Sequence, residues 1–239
     1  HLVTGQEASP EEIVTAAKRN RCRSIAYTYT EPTVFFEYSY DIARRAHQEG
    51  LANVYVTNGF MTEDMLETFN PHLDAANVDL KAFRDDTYRE YVGGRLQPVL
   101  DSLRKMKQLG VWIEVTTLVI PGLNDDPEEL RGMASSIAKE LGPETPWHIS
   151  RFRPAYRMRD SSATPLATLR EARTIGLENG LRYVYVGNVP GETNTTCHNC
   201  GETLIRRSGY RITASAVARE SACPTCGAEV AGVGMDGAG

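Results

Sequence analysis

Cysteine is scarce in this sequence: five of 239 residues, four of them in two C-x-x-C pairs near the carboxyl end and the fifth, Cys22, alone. A disulfide framework distributed along the chain is therefore excluded. Basic residues are also in deficit. Lys and Arg total 26 against 31 Asp and Glu, and the net charge of −5 lacks the basic excess usual in nucleic-acid-binding domains. No apolar run reaches about 18 residues, which excludes a membrane-spanning helix. The opening His1-Leu2-Val3-Thr4-Gly5 has neither an initiator Met nor the basic and apolar regions of a signal peptide. These absences lead to the expectation of a cytoplasmic protein and of a fragment or trimmed chain.

What is present is an alternating α/β pattern. Ser9-Pro10-Glu11-Glu12 combines an N-cap, a proline at the first helical position and two first-turn acids, opening a helix to about Arg19. Strands are predicted at Ser24–Tyr29, Val54–Thr57, Asn77–Leu80, Trp112–Ile120, Trp147–Phe152 and Tyr183–Val186. Helices are predicted from Pro32 to Gly50, from Thr62 to Phe69, through Leu100, Leu103, Met106 and Leu109, from Asp126 onward, and from Pro165 to Asn179. Strict alternation argues for a parallel sheet with right-handed crossovers. The character changes after Asn188, so two domains are expected: a (β/α) core over 1–190, and a cysteine-bearing module with a short tail over 191–239. Gly191 to Asn194 reads as a polar linker and Gly234 to Gly239 as a frayed end.

Five stretches close the apolar strands with polar or charged residues. They are Tyr29-Thr30-Glu31-Pro32-Thr33, Val56-Thr57-Asn58-Gly59, Val78-Asp79-Leu80-Lys81, Val119-Ile120-Pro121-Gly122-Leu123-Asn124-Asp125 and His148-Ile149-Ser150-Arg151-Phe152. Such groups at the carboxyl ends of successive strands are where α/β folds place ligand sites. A bland reading stands beside each: Glu31 as a helix N-terminal acid, Asp79 and Lys81 as a neutralised pair on one strand face, Pro121-Gly122 as a turn. Arg151 and Arg153 share a face and either clamp a carboxylate or phosphate, or pair with acids of outer helices.

Cys197-His198-Asn199-Cys200 and Cys223-Pro224-Thr225-Cys226 are separated by 22 residues, and each pair is followed by a glycine, Gly201 or Gly227. Two thiolate pairs on tight turns suit a tetrahedral Zn²⁺ at about 2.3 Å per bond, with iron in a rubredoxin-like site as the alternative. A hairpin over Thr203 to Ile212 brings the turns together. His198 is expected at the surface, and Cys22 is expected as a small buried hydrophobe.

The strand-end residues resemble those of the radical S-adenosylmethionine (SAM) superfamily, in its pyruvate formate-lyase activating enzyme-like branch. Within that branch the chain is most similar to the radical enzymes of the AmmeMemoRadiSam system, which also end in a four-cysteine ribbon. Glu31-Pro32 looks like the second-strand "GGE" element, Val78-Asp79-Leu80-Lys81 like the fourth-strand element, and Ile120-Pro121-Gly122 like the fifth-strand turn. The resemblance implies a partial parallel (β/α) barrel, lacking its first strand, followed by the ribbon. It implies SAM and a 4Fe–4S cluster as cofactors, and a cofactor site drawn from Glu31, Asn58, Gly59, Asp79, Lys81, Arg151 and Arg153. Glu31 would accept from the methionyl ammonium, Lys81 would pair with the carboxylate, and Gly59 would let backbone approach the ligand.

The implied activity is reductive cleavage of SAM to a 5′-deoxyadenosyl radical that abstracts hydrogen, from a glycine of a protein partner by likeness to activating enzymes, with an external electron donor. The chain departs from the pattern in three places. No C-x-x-x-C-x-x-C triplet precedes the barrel elements, Val56 replaces an Asp, and Arg153 stands where relatives commonly have His. The expectation is that the sequence begins after the missing triplet and is inactive alone. Two other readings compete. In one, a cluster-independent barrel uses Lys81 as a Schiff-base lysine, against which adjacent Asp79 would raise the lysine pKa. In the other, a non-catalytic module binds through a ribbon bearing Arg206, Arg207, Arg211 and Arg219. Neither a membrane nor nucleic acid is expected as a partner.

Overall fold

A computed structural model describes residues 5–191, 193–209 and 211–235. Six strands follow one another across a sheet in chain order: β1 (Ser24–Tyr27), β2 (Ala52–Thr57), β3 (Ala75–Asp79), β4 (Trp112–Val119), β5 (Trp147–Arg151) and β6 (Val184–Gly187). The pairings β1–β2, β2–β3, β4–β5 and β5–β6 are all parallel. The helices between them are α1 (Pro10–Arg19), α2 (Phe36–Gln48), α3 (Glu63–Phe69), the short α4 (Asp85–Thr87), α5 (Leu96–Gln108), α6 (Pro127–Ser136) and α7 (Leu166–Glu178). A second, antiparallel sheet comprises β7 (Thr195–Thr196), β8 (Thr203–Ser208) and β9 (Arg211–Ser215). The α/β class, the parallel sheet and the carboxyl-terminal hairpin expected from the sequence are all present.

The chain divides into two compact units, His1–Asp79 with Pro98–Ile113, and Leu80–Gln97 with Glu114–Gly239. In the first, α1 starts as its sequence requires: the Ser9 hydroxyl accepts from the Glu12 amide, and the Glu12 carboxylate accepts from the Ser9 amide at 2.7 Å. The core is aromatic. Tyr55 packs against Phe69 at 4.6 Å between centroids and edge-on to Tyr27 at 5.6 Å. Among these rings lies Asn53, fully buried, with every polar group used. Its Oδ1 accepts from the Tyr27 hydroxyl, its Nδ2 donates to the carbonyls of Ala43 and His72, and its backbone amide donates to the Asp74 carboxylate.

In the second unit, β4 buries Val115, Thr117 and Val119 while Thr116 and Leu118 face the opposite side. Thr117 is a buried hub, donating to the Leu80 carbonyl at 2.9 Å and accepting from the Trp147 indole at 3.0 Å. Trp147 in turn packs on Gly176 of α7, where an added Cβ would stand 3.0 Å from the indole.

Several sequence expectations shift. The helix predicted from Pro32 begins as a 3₁₀ turn, Pro32–Phe35, before α2. The strands end at Tyr27, Asp79, Val119 and Arg151, one or two residues early; past β4 and β5 the Ile120 and Phe152 amides donate to the Asn124 and Thr164 side chains. Cys22 is exposed rather than buried: it follows Arg21, whose φ of +55° turns the chain out of α1, and its side chain faces solvent. His198 is at the surface as expected. The linker position Glu192 and tail residues 236–239 lie outside the described residues.

Replacing Asn53 with Ala strands the Tyr27 hydroxyl and two buried carbonyls, so Asn53→Ala should lower unfolding free energy by about 3 kcal/mol in denaturant titrations.

Candidate functional site

In the first unit, the sequence-predicted residues Glu31, Asn58 and Gly59 come together. Glu31 is half-buried beyond the end of β1. Its Oε1 accepts from the Thr57 hydroxyl at 2.6 Å and its Oε2 from the Asn58 amide at 2.7 Å. The carboxylate thus clips the segment after β1 to the carboxyl end of β2, and it also N-caps the Pro32 turn through Thr33. Thr57, whose part the sequence did not disclose, also accepts from the Gly59 amide at 3.1 Å. The Asn58 side-chain Oδ1 accepts from the Phe60 amide at 2.8 Å, closing the turn. Gly59 is obligatory here: its φ is +72°, and a Cβ would sit 2.6 Å from Val78. Asp79 ends β3 and is half-buried. Glu31 Oε1 takes the Thr57 hydroxyl and both the amide and the hydroxyl of Thr33, whereas Oε2 takes the Asn58 amide alone, so the capacity left for an ammonium group is at Oε2.

In the second unit, Lys81 lies beyond the strand, so the expected strand alternation with Asp79 does not extend to it. Its backbone is fixed on both sides: the amide donates to the Tyr88 hydroxyl at 3.1 Å and the carbonyl accepts from Asn124 Nδ2 at 2.7 Å. Asn124 is fully buried, also donating to the Leu118 carbonyl and accepting from the Ile120 amide. It splices the Lys81 segment to the end of β4. Glu129 secures the next residues, accepting from the Phe83 amide at 2.7 Å and ion-pairing with Arg84 at 3.0 Å. Burial pushes its carboxyl above the ordinary range, opposed by the Phe83 hydrogen bond and Arg84. Arg151 closes β5, and its Nε donates to the Thr164 carbonyl. Arg153 is beyond the strand and exposed, so the shared-face relation with Arg151 also lapses.

The four ribbon cysteines converge, their sulfurs all within 4.8 Å of one another. The Cys197–Cys226 and Cys200–Cys223 sulfurs are 3.6 and 3.7 Å apart. A tetrahedron of sulfurs about 2.3 Å from a central ion has edges of about 3.8 Å, so the set fits one metal ion. The two turns are built alike. The amides of Gly201 and Gly227 donate back to the carbonyls of Cys197 and Cys223, with φ of +76° and +72° at the glycines. The Cys197 and Cys223 amides donate to the carbonyls of Glu202 and Ala228. Hydrogen bonds from the Asn199 side chain and the Ala228 amide hold the Cys226 thiol below its ordinary range. Beneath the cysteines lies a small apolar core of Leu204, Ile205 and Val230.

The ribbon is bonded to the parallel sheet of its own unit. The Tyr183 hydroxyl accepts from the Ala231 amide at 3.2 Å. The Tyr185 hydroxyl bonds Thr195 at 2.9 Å, and Arg207 donates to the same Thr195 hydroxyl at 2.7 Å while its guanidinium lies 5.8 Å from the Tyr185 ring centre. Tyr185 stacks on His148, which bonds Glu114 at 2.7 Å. Neither this chain of contacts nor the roles of Asn124, Glu129 and Thr164 had been singled out from the sequence. Asn124 and His148 lay within strand-end stretches that drew attention, and Arg207 among the ribbon arginines, but for other reasons.

A sequence model described as the Radical SAM superfamily matches residues 2–134. Over 230 residues the chain is 42% identical to an uncharacterized protein of Methanocaldococcus jannaschii, spanning 94% of this chain and 68% of that protein. Over 144 residues it is 24% identical to the benzylsuccinate synthase activating enzyme of Thauera aromatica, 57% of this chain and 44% of that enzyme. A solved domain of a pyruvate-formate lyase-activating enzyme from Bacteroides vulgatus superposes with a TM-score of 0.59, covering 69% of this chain and 99% of that domain at 16% identity. That likeness extends the agreement to the fold.

One metal ion per chain is expected on elemental analysis, with Cys223→Ser losing most of it. Arg207→Ala should keep the metal yet lower the thermal midpoint by about 3 °C through loss of the cation–π and Thr195 contacts.

Proposed function

Because the chain belongs to the radical SAM superfamily, we propose that it is the core of an activating-enzyme-like radical enzyme acting on a glycine of a protein partner. Membership implies SAM and an iron–sulfur cluster as cofactors. The reading rests on one observation above all: the superfamily match over residues 2–134 takes in the ordered strand-end groups Glu31, Asn58, Gly59, Asp79 and Lys81. The activating-enzyme relative of Thauera aromatica supports the choice of branch.

The residues assigned to SAM are Glu31, Asn58, Gly59, Asp79, Lys81 and Arg151, with Arg153 at the margin. Glu31 would accept from the methionyl ammonium through Oε2, which carries the Asn58 amide alone, while Thr33 and Thr57 hold Oε1 in place. Lys81 would pair with the methionyl carboxylate from a backbone that Tyr88 and Asn124 immobilise, so little further ordering is required on binding. The iron–sulfur cluster finds no ligand set among the described residues. Outside the ribbon they offer Cys22 alone, and the ribbon sulfurs crowd too closely to span four irons. The ribbon is assigned a structural Zn²⁺, since four thiolates close the coordination sphere and leave no open position for chemistry. An external electron donor completes the reading.

The 239 residues by themselves should therefore bind SAM weakly, with Kd on the order of tens of micromolar to millimolar, and should not cleave it. Lys81→Ala should weaken that binding roughly tenfold, the loss of one charge-assisted hydrogen bond. Equilibrium dialysis with labelled SAM measures both. Fused behind a C-x-x-x-C-x-x-C segment and loaded with iron and sulfide, the protein should release 5′-deoxyadenosine on reduction. Unchanged SAM affinity in Lys81→Ala, or absence of 5′-deoxyadenosine from the cluster-loaded fusion, would refute the assignment.

A further inference from the structure

The segment after β5 carries a concentration of positive charge that the SAM assignment leaves largely unused. Residues 153–163 form a loop closed at its stem by two buried residues. The Phe152 amide donates to the Thr164 hydroxyl at 2.9 Å, the Thr164 amide donates to the Phe152 carbonyl at 3.2 Å, and the Thr164 hydroxyl donates to the Val119 carbonyl at 2.6 Å. Within the loop, the Met158 amide donates to the Ala155 carbonyl. Loops projected from so firmly fixed a stem, at the carboxyl end of a parallel strand, are where α/β proteins meet their ligands.

Arg153, Arg157 and Arg159 are all exposed on this loop, with Asp160 its only acid. Among the described residues none of the three is ion-paired with a carboxylate, unlike Arg84, Arg89, Arg95, Arg104 and Arg131; Arg19, Arg21 and Arg23 are likewise without one, but no aromatic residue lies between them. Tyr156 stands 77% exposed between Arg153 and Arg157, and the Arg157 guanidinium lies 5.3 Å from its ring centre. A net-acidic chain that leaves three neighbouring guanidinium groups unneutralised around an exposed ring presents a local anion-binding surface.

We propose that the loop from Arg153 to Arg159 is the docking surface for an acidic peptide segment of the protein partner, with Arg153, Arg157 and Arg159 pairing its carboxylates and Tyr156 lying against its backbone. The proposal deepens the reading of a protein substrate given above and rests on it for the partner's class. The charge balance favours a short acidic segment over a nucleic acid. Screening confines the segment's view to about 10 Å of the loop, while an extended polyanion also meets the rest of a chain whose net charge is −5.

The test is fluorescence anisotropy with a labelled alternating Glu–Gly peptide, an alternating Lys–Gly peptide and a single-stranded oligouridylate, on the full chain with its ribbon metal. The Glu–Gly peptide should bind, weakening about fivefold or more between about 50 and 300 mM NaCl. Replacing Arg153, Arg157 and Arg159 together with Gln should weaken it about tenfold or more, and the triple Lys replacement should restore most of the loss. Ribbon metal content and thermal midpoint report that both variants are folded. Equal binding of the Lys–Gly peptide, or an unchanged affinity in the Gln variant, overturns the proposal. Tighter binding of the oligouridylate, lost in the Gln variant, overturns it in favour of nucleic acid. Lys81→Ala separates the two readings: it should weaken SAM and leave the peptide affinity unchanged, so failure of the SAM assignment leaves the docking result standing, and the reverse.

Discussion

Where a parallel strand ends, its last backbone groups lose their ladder partners, and something other than the sheet has to satisfy them. This chain answers with short polar side chains placed one loop away. Glu31 takes the Asn58 amide after β2, Asn124 takes the Lys81 and Leu118 carbonyls and the Ile120 amide, and Thr164 takes the Val119 carbonyl and the Phe152 amide. The Thr164 bonds are buried and the Glu31 and Asn124 bonds part-buried, and a fully buried amide or carbonyl left orphaned costs about 1–3 kcal/mol. The loops that carry the candidate ligand residues are thereby tied to the strand ends at defined points. A functional group on such a loop has its backbone position decided before any ligand arrives.

Much of this architecture was legible in the sequence because it depends on periodicity and punctuation. Ser9-Pro10 and Asp126-Pro127 announce helices through a cap and a fixed φ. The C-x-x-C pairs announce metal turns, because two thiols three residues apart with a glycine after them can hardly form anything else so compact. The strand ends were misjudged by one or two residues, since β propensity says nothing of where a polar side chain will draw the backbone out of the ladder. Cys22 was misjudged because burial at a helix exit is decided by the left-handed turn at Arg21, not by the hydrophobicity of the thiol. Asn53, Thr117 and Thr164 were unreadable for a related reason. A buried polar residue inside a strand or before a helix looks like any surface Asn or Thr until its partners, far away in the chain, are known.

The ribbon illustrates how a metal and a sheet can divide the work of stabilising one unit. Its own core is small, built on Leu204, Ile205 and Val230, so a bound ion supplies much of what folds it. It nevertheless bonds to the phenolic hydroxyls of Tyr183, just before β6, and of Tyr185 within it. Desolvation raises both phenols above their ordinary range, so they stay neutral and act as hydrogen-bonding groups. Arg207, lying over the Tyr185 ring and bonded to Thr195, makes the attachment directional as well as apolar.

The same residue types thus serve construction and recognition, and their surroundings decide which. Glu31 is committed to Thr57 and Asn58 yet half-open, so a carboxylate that holds two strand ends together can still face a cation. Arg84 is paired with Glu129 through Nε and donates from a terminal nitrogen to the Leu123 carbonyl, leaving its charge internally answered. The guanidinium groups of Arg153, Arg157 and Arg159 belong to the other limit, exposed on a loop whose stem is rigid and without a carboxylate among the described residues. Ordering a long side chain costs about 1.5–2 kcal/mol of rotamer freedom, which an isolated solvent-facing charge does not recover. Such charges contribute little to the fold. What they offer is a field at the loop surface, and that field acts only on a charged partner brought within reach of it.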